Sequence, residues 1–423
     1  MTVSRSDDGQ PLRHADALAL LKLHVKPCPT EEAVPLFAAG GRIASRAVHA
    51  AGAVPGAANS AVDGYAFAFR HYDPAQGASL PVAGRAAAGH PATRPMSGGA
   101  ISARIFTGAL LPEGCDTVAM QEDIRLLERH GATHVVLPAG LRPGANVRPA
   151  GEDVAPGVLV VTAGQLLRPQ DLAQLASIGV QDVWCHRRLS VALASTGDEV
   201  VRGAAALDSG QIHDANGPML RAIVEAAGCD VVDLGVLPDE PEALKSVLGE
   251  AASRHAAIVT SGGVSRGEED HLAGVLGDLG RQFLWQVAVK PGRSLIFGEI
   301  GDCLMIGLPG NPVAVFVSAL IYARSALARL GGATWPEPRR YPLRAAFEFR
   351  GRKTGRREFW RGILADTPEG LAVDKFRRDG SGLISGLRAS DGLIDIPEEQ
   401  GDVRVGDPVH FIPYTEFGLP PRI

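Results

Sequence analysis

Two glycine-rich segments of the sequence each follow a predicted strand. Residues 261–270 read Ser-Gly-Gly-Val-Ser-Arg-Gly-Glu-Glu-Asp and come after the apolar run 256–260. Residues 307–312 read Gly-Leu-Pro-Gly-Asn-Pro and come after the apolar run 303–306. Such loops can turn several backbone N–H groups toward one anion, and a helix N-terminus adds its positive dipole end. Together the loops predict a phosphate-binding site, whereas either one alone could be a plain turn.

Carboxylates are predicted at the same edge of the sheet. Glu199 follows the first strand of this region, Asp239 follows the second, and Asp270 closes the loop after the third. Carboxylates beside phosphate-binding loops would repel an anionic ligand, so the combination predicts Mg²⁺ between them. One alternative stays open, because Asp239 could be the N-cap of the helix predicted to begin at Glu242.

Further charged segments could contribute to a site. The turn Lys290-Pro291-Gly292-Arg293 presents two cations and could bind an oxyanion, or it could be solvated surface. In the N-terminal half, Asp63 and Asp153 lie beside or close to glycines in acidic loops. By residue type alone these two loops read as turns.

Composition excludes several classes of protein. The 423 residues include 42 Lys and Arg against 47 Asp and Glu, a formal charge of −5, with 45% apolar residues. A disordered chain or an electrostatic nucleic-acid binder is therefore not expected. The five cysteines are scattered without a C-x-x-C pair, which argues against a disulfide framework or a thiolate zinc site.

The sequence also favours a location. Its first residues are polar, and the longest apolar run, 313–323, is shorter than a bilayer requires. We therefore predict a cytoplasmic protein that does not span a membrane.

Hydrophobic periodicity predicts the elements that position these loops. Helices are expected at 15–23, at 170–178 and in a short segment from Thr30 to Gly41. Between 189 and 306 strands alternate with helices, which predicts a parallel sheet. Asn216 and Asn311 are each expected to cap a helix.

The fold class predicted is multidomain α/β plus β. A discontinuous helical domain carries an inserted β domain, a doubly wound parallel α/β domain follows, and a β-barrel-like domain ends the chain. The predicted boundaries are 1–50 with 147–186, 51–146, 187–334 and 335–423.

A series of ordered motifs spans nearly the whole chain. They occupy residues 59–66, 104–109, 117–122, 146–153, 195–199, 210–216, 261–270, 290–293 and 307–312. In these motifs the sequence resembles the molybdopterin molybdenumtransferase family. The resemblance implies an elongated homodimer of four-domain subunits, with an α/β domain of the molybdopterin-binding type. It also implies an active-site cleft between the α/β domain of one subunit and the N-terminal domains of its partner.

The resemblance also assigns site residues. The catalytic positions it implies are Asp63, Thr107, Asp153, Glu199, Asp239 and Asp270, of which Glu199, Asp239 and Asp270 would hold the metal. The implied pterin-phosphate and molybdate positions are Ser261, Gly262, Gly263, Ser265, Gly267, Gly310, Asn311, Pro312, Lys290, Arg293, Arg356 and Ser381.

The activity implied is insertion of molybdenum from molybdate into adenylylated molybdopterin, with Mg²⁺ as cofactor and AMP as a product. Implied partners are a second copy of the chain, molybdopterin adenylyltransferase and molybdoenzyme chaperones, with no nucleic acid and no membrane. The chain departs from the family's usual residues at Ala58, Val62, Arg293 and Ser294. Two alternatives use the same fold: a molybdopterin adenylyltransferase-like nucleotide enzyme, and a non-catalytic scaffold.

Overall fold

A computed structural model describes residues 11–27, 30–93, 96, 98–203, 206–265 and 270–422. Predicted site residue Gly267 lies outside these ranges. Within them the chain forms three six-stranded sheets and several two-stranded pairs. This architecture confirms the predicted multidomain α/β plus β class.

The N-terminal region combines the helix Pro169–Ser177 with a strand pair, whereas the first helix, His14–His24, buries Ala17 and Leu21 in the core of the α/β region. The helix predicted from Thr30 to Gly41 is wrong, because the strand Glu31–Pro35 pairs there with Asp182–His186 and a 3-10 turn Leu36–Ala38 follows. The glutamates that look like first-turn helix acids instead make ion pairs, Glu31 with Arg46 and Glu32 with Arg42. Long-range pairing thus overrides a local capping signal.

The predicted β region forms a six-stranded sheet, here called the inserted sheet. Its strands in spatial order are Thr117–Met120, Gly64–Phe67, Ser102–Ile105, Ala78–Ala86, Ala132–Leu137 and Arg125–Arg129. Two pairs connect it to the rest of the chain: Asn59–Ser60 with Val147–Arg148, and Val48–His49 with Leu159–Val161.

The central sheet carries the predicted strand and helix alternation. Its strands in spatial order are Asp230–Leu237, Ser190–Thr196, Ala257–Ser261, Cys303–Leu308, Ile296–Ile300 and Arg281–Trp285. The first four are parallel, and Ile296–Ile300 pairs antiparallel with both Cys303–Leu308 and Arg281–Trp285. The sheet is therefore mixed, with an antiparallel edge that the sequence did not indicate.

Alternating residues of the buried strands pack on opposite faces of the central sheet. Val191 and Leu193 join a core with the helices Asn216–Ala226 and Pro312–Ser318. Ala192 and Ala194 join another core with the helices Pro241–Ala252 and Leu272–Leu279. Helices on both faces are what a doubly wound sheet requires.

The helix starts refine two predictions. Asn216 is the first residue of the helix Asn216–Ala226 and not its N-cap, which is Ala215, and the Gly217 N–H donates to Asp214 Oδ1 at 2.8 Å. Asp239 is not an N-cap either, since the next helix begins at Pro241 and Glu240 precedes it. Removing the capping alternative leaves Asp239 as a candidate site residue.

The helix after the second glycine-rich loop is longer than its apolar run. It runs through Pro312–Ser318, a π segment Ala319–Ala323 and Arg324–Leu330. By length and composition alone this 19-residue helix could cross a membrane, although the apolar run 313–323 within it is shorter than a bilayer requires. Its most apolar window is 83% buried inside the protein, as in a core helix.

The C-terminal strands close into a barrel. In ring order they are Arg357–Thr367, Gly370–Lys375, Tyr341–Ala345, Pro408–Pro413 and Gly392–Ile396, and the last pairs with the first. A short helix Ile384–Ala389, which the sequence did not indicate, packs beside it. The strand Val289–Lys290 of the α/β region also pairs with this barrel, along Arg357 and Glu358.

Candidate active site

A cavity of about 890 Å³ opens where the central sheet meets the C-terminal barrel. Most of the residues predicted for the site line it: Glu199, Asp239, Asp270, Ser261, Gly262, Gly263, Ser265, Lys290, Arg293, Gly310, Asn311, Pro312 and Ser381. They meet because neighbouring parallel strands end at the same edge of the sheet. Ser195 pairs with Ser261, and Ser261 pairs with Leu308. This is the edge at which open α/β sheets bind ligands.

The first glycine-rich loop packs tightly against the neighbouring strand. Gly262 has φ +97°, and a Cβ there would lie 2.6 Å from both the carbonyl oxygen and the Oγ1 of Thr196. Its N–H donates to the carbonyl of Leu308 at 3.0 Å. Only glycine fits this backbone conformation. It lets the loop pack closely against the strand that carries Thr196 while the loop still lines the cavity.

We expect Gly262→Ala to destabilise the fold by about 1–3 kcal/mol, because the methyl group meets backbone in a conformation that alanine avoids. Gly274→Ala is the matched control, since that glycine is exposed on a helix and nothing lies within 4 Å of its added Cβ. The control should gain about 0.5–1 kcal/mol. Urea unfolding of both variants measures the difference, and equal midpoints would contradict the packing argument.

The second glycine-rich loop is held beside the first. Asn216 Nδ2 donates to the carbonyl of Gly310 at 2.7 Å, which joins two helix starts at the cavity. Asn311 caps the following helix as predicted, but its side chain makes no capping hydrogen bond. Pro312 has no N–H and the Val313 N–H donates to the carbonyl of Ser381 at 2.8 Å, so the helix start offers the cavity its positive dipole end and not a row of free donors.

The carboxylates influence one another across the cavity. Burial raises the pKa of Asp239, and the charges of Asp198, Glu199 and Asp270 raise it further. A hydrogen bond from the backbone of Asp198 opposes this rise. The backbone N–H of Asp239 in turn donates to Asp198 Oδ1 at 3.1 Å, which orders the loop. A cation among these groups would relieve their repulsion.

The donor set suits Mg²⁺ without forming a complete cage. Across the described ranges, no three His, Cys, Asp or Glu side chains are grouped closely enough to hold a metal by themselves. Mg²⁺ usually binds through one or two carboxylates together with substrate phosphates and water. Glu199, Asp239 and Asp270 fit that mode because they line the cavity beside the glycine-rich loops.

We expect Asp239→Asn to raise the melting temperature at pH 7 in metal-free buffer. Because the pKa of Asp239 is raised above its ordinary value of 3.8, the folded state favours the protonated form, and ionised Asp239 costs stability. The gain in melting temperature should be complete at pH values above the raised pKa of Asp239. It should vanish at pH values below the ordinary pKa of an aspartate. Melting curves from pH 3 to 8 test this, with exposed Asp366→Asn as control. A lower melting temperature at pH 7 would contradict it.

The basic turn lies between sheet and barrel. Lys290 is part of the short strand that joins the barrel, and Arg293 accepts the Val287 N–H at its carbonyl at 3.0 Å. Gly292 has φ +97°, and a Cβ there would lie 2.4 Å from Ser318 Oγ. The turn is thus fixed by packing, and both cations reach the cavity.

The barrel contributes residues that sequence reasoning missed. Arg356 does not line the cavity; its Nε lies 3.2 Å from Glu358 instead. Arg361 does line it, with its guanidinium held by the carbonyls of Leu383 and Arg378 at 3.0 and 2.7 Å. An arginine inside an otherwise apolar strand was the available signal. Other unpredicted lining residues include Trp360, Lys375, Phe376 and Asp379.

Asp214 is a further residue that the prediction missed. Its carboxylate accepts hydrogen bonds from Ser195 Oγ at 2.8 Å and from Arg202 Nε at 2.7 Å, besides the Gly217 N–H. These donors hold the pKa of Asp214 below its ordinary value despite burial. Asp214 therefore stays ionised and stabilises the wall of the cavity.

The three predicted residues of the N-terminal half do not line this cavity. Asp63 and Thr107 do lie together, since Asp63 Oδ1 accepts the Thr107 N–H at 2.8 Å and its hydroxyl at 2.7 Å. These bonds lower the pKa of Asp63. Asp153 is exposed in a separate loop. Within one chain the predicted site is therefore divided into two parts.

Fold and site together define a multidomain α/β protein with glycine-rich loops and carboxylates at the carboxyl edge of a parallel sheet. Family descriptions match most of the chain: "MoeA N-terminal region (domain I and II)" at residues 12–179, "Probable molybdopterin binding domain" at 192–329, and "MoeA C-terminal region (domain IV)" at 343–414.

Similar proteins agree along nearly the full length. A molybdopterin molybdenumtransferase of Haemophilus influenzae is 37% identical, over 92% of this chain and 96% of its own. A molybdopterin molybdenumtransferase of Synechococcus elongatus is 31% identical, over 94% of this chain and 98% of its own. The crystal structure of a molybdopterin biosynthesis MoeA protein from Pyrococcus horikoshii superposes with a TM-score of 0.82 at 27% identity, covering 96% of this chain and all of that one. The chain belongs to the molybdopterin molybdenumtransferase family, whose members are transferases of molybdenum cofactor biosynthesis.

Proposed function

We propose that this protein inserts molybdenum from molybdate into adenylylated molybdopterin and releases AMP. The observation that carries the proposal is the cavity itself, where two glycine-rich loops, three carboxylates and a basic turn meet. A phosphorylated ligand, a divalent cation and an oxyanion each find suitable partners there. The names of the similar proteins supply the particular substrates.

In the proposed mechanism each group has one task. The glycine-rich loop at residues 261–265 and the positive dipole end of the helix that begins at Pro312 bind the phosphates. Lys290 and Arg293 hold molybdate beside them. Glu199, Asp239 and Asp270 would hold Mg²⁺, which neutralises charge on the phosphoanhydride.

Bond cleavage needs no protein nucleophile in this scheme. Water attacks one phosphorus atom of the phosphoanhydride, and the bond from that atom to the bridging oxygen breaks. The products are AMP and molybdopterin that keeps its own phosphate. A carboxylate at the cavity orients that water, and the fixed N–H donors stabilise the charge that develops on the phosphate oxygens. The two thiols of the dithiolene bind the molybdenum of molybdate, and their two protons leave with one of its oxo ligands as water.

The test is incubation of the purified protein with adenylylated molybdopterin, molybdate and Mg²⁺. We expect AMP and metallated cofactor to form together. Chelation by EDTA should stop the reaction, and added Mg²⁺ should restore it. A folded protein that releases no AMP would contradict the proposal and favour the scaffold, whereas AMP transfer from ATP to molybdopterin would favour the adenylyltransferase.

We further propose that the complete site forms between two copies of the chain. Asp63 and Thr107 form a hydrogen-bonded pair on the inserted sheet, outside the cavity of their own chain. In the implied homodimer they would face the cavity of the other subunit, together with Asp153. A two-fold interface would then generate two equivalent sites.

A further inference from the structure

A buried carboxylate of the barrel lies behind the basic turn. Glu358 has a side chain that is only 2% exposed, and its Oε2 accepts the indole N–H of Trp360 at 2.9 Å. The same oxygen lies 3.6 Å from the ammonium of Lys290. Trp360 and Lys290 line the cavity whereas Glu358 does not. Glu358 therefore contacts two lining residues from behind.

The other oxygen of Glu358 faces two arginines. Its Oε1 lies 3.2 Å from Arg356 Nε and 3.8 Å from Arg352 Nε. The guanidinium of Arg352 is also held by carbonyl oxygens, including that of Arg356 at 2.6 Å. The guanidinium of Arg352 is thus held in place even without Glu358. The side chain of Lys290, by contrast, is 44% exposed and has a flexible stem.

Backbone pairing brings this carboxylate to the turn. Val289 pairs with Arg357 and Lys290 with Glu358 in a parallel register. The Arg357 N–H donates to the carbonyl of Ala288 at 2.9 Å. The last residues before the turn are thus bonded to the barrel strand that carries Glu358, so the spacing of Lys290 and Glu358 is set by the sheet.

The charges explain why the carboxylate matters. Without it, three cations would lie close together in a partly buried region and lose the carboxylate they share, while Glu398 and Glu399 act more weakly on Arg352. Arg352 is held by carbonyls, whereas the side chains of Lys290 and Arg356 are 44% and 43% exposed and can move away into water. Of these two groups only Lys290 lines the cavity. The turn would then keep its backbone but lose a fixed positive charge at the cavity.

We propose that Glu358 is a positioning residue for oxyanion binding, which acts by holding the ammonium of Lys290 at the cavity wall. This inference rests on the proposed function, because the oxyanion is the molybdate of that reaction. It gives the C-terminal barrel a role in the site beyond supplying lining side chains.

The first test is Glu358→Gln, which keeps the shape of the side chain and removes its charge. We expect the KM for molybdate to rise about tenfold while kcat changes less than about threefold. Glu348→Gln is the matched control, because Glu348 pairs with Arg350 on the barrel surface and neither residue lines the cavity. It should leave both constants unchanged. An active wild type with an unchanged KM in Glu358→Gln would overturn the inference.

A double-mutant cycle with Lys290→Met tests whether Glu358 acts through Lys290. In that background Glu358→Gln should raise the KM by less than about twofold further, because the group it positions is gone. If the two substitutions raised the KM for molybdate by independent factors that multiply in the double variant, the inference would be overturned. If Glu358→Gln does not fold, Glu358→Asp replaces it in the same cycle, with a smaller KM increase expected. A wild type that releases no AMP would instead remove the proposed function itself.

Discussion

Glu199→Gln should lower the rate of AMP release by about 10²–10³-fold while the protein stays folded. Glu199 lines the cavity beside the glycine-rich loops, and its charge helps to raise the pKa of Asp239. Its carboxylate would be a direct ligand of Mg²⁺, and an amide oxygen carries no charge to replace it. The rate is measured at saturating molybdate, over a range of Mg²⁺ concentrations.

The matched control for this variant is Glu242→Gln. Glu242 is an exposed glutamate in the first turn of the helix Pro241–Ala252, near Asp239 in sequence but outside the lining of the cavity. It should retain wild-type activity. If Glu199→Gln also kept full activity at limiting Mg²⁺, the proposal that Glu199 is a ligand of Mg²⁺ would be wrong.

The second large effect is restoration of activity in mixed dimers. Asp63→Asn and Glu199→Gln should each be nearly inactive alone, because each damages one part of the divided site. A heterodimer of the two carries both substitutions in one cleft and none in the other. It should therefore recover about half of the wild-type activity. The two chains are co-expressed with different affinity tags, purified by both tags and assayed for AMP release.

The control heterodimer combines Glu199→Gln with Asp239→Asn. Both substitutions lie in the cavity of the α/β region, so each cleft keeps one defect and activity should stay low. Light scattering first establishes the mass of the tagged complexes. A monomeric protein, or a first heterodimer as inactive as the control, would contradict a site shared between subunits.

The central sheet was predictable because its signals are local. Each buried strand is an apolar run, each following helix has its own periodicity, and the loops between them carry glycines. Parallel strands must end at one edge, so the loops at 261–265 and 307–312 had to meet. The cavity confirms that the predicted loop residues within the described ranges come together.

Other elements depend on contacts between distant segments. Residues 31–35 form a strand only because residues 182–186 pair with them, and their acidic pattern resembles a helix start. Arg361 rather than Arg356 reaches the cavity because of how the barrel strand docks. A single sequence gives no measure of which face of that strand meets the sheet.

The sequence by itself determined the chemistry available to this protein: anion-binding loops, carboxylates for a cation and a basic turn, each encoded within a short segment. The tertiary structure decided how these groups are arranged. It brought the barrel against the turn through the pairing of residues 289–290 with 357–358 and placed Glu358 behind Lys290. It also kept Asp63 and Thr107 away from the cavity of their own chain. Backbone pairing and burial act between segments far apart in sequence, and local residue patterns do not encode such distances.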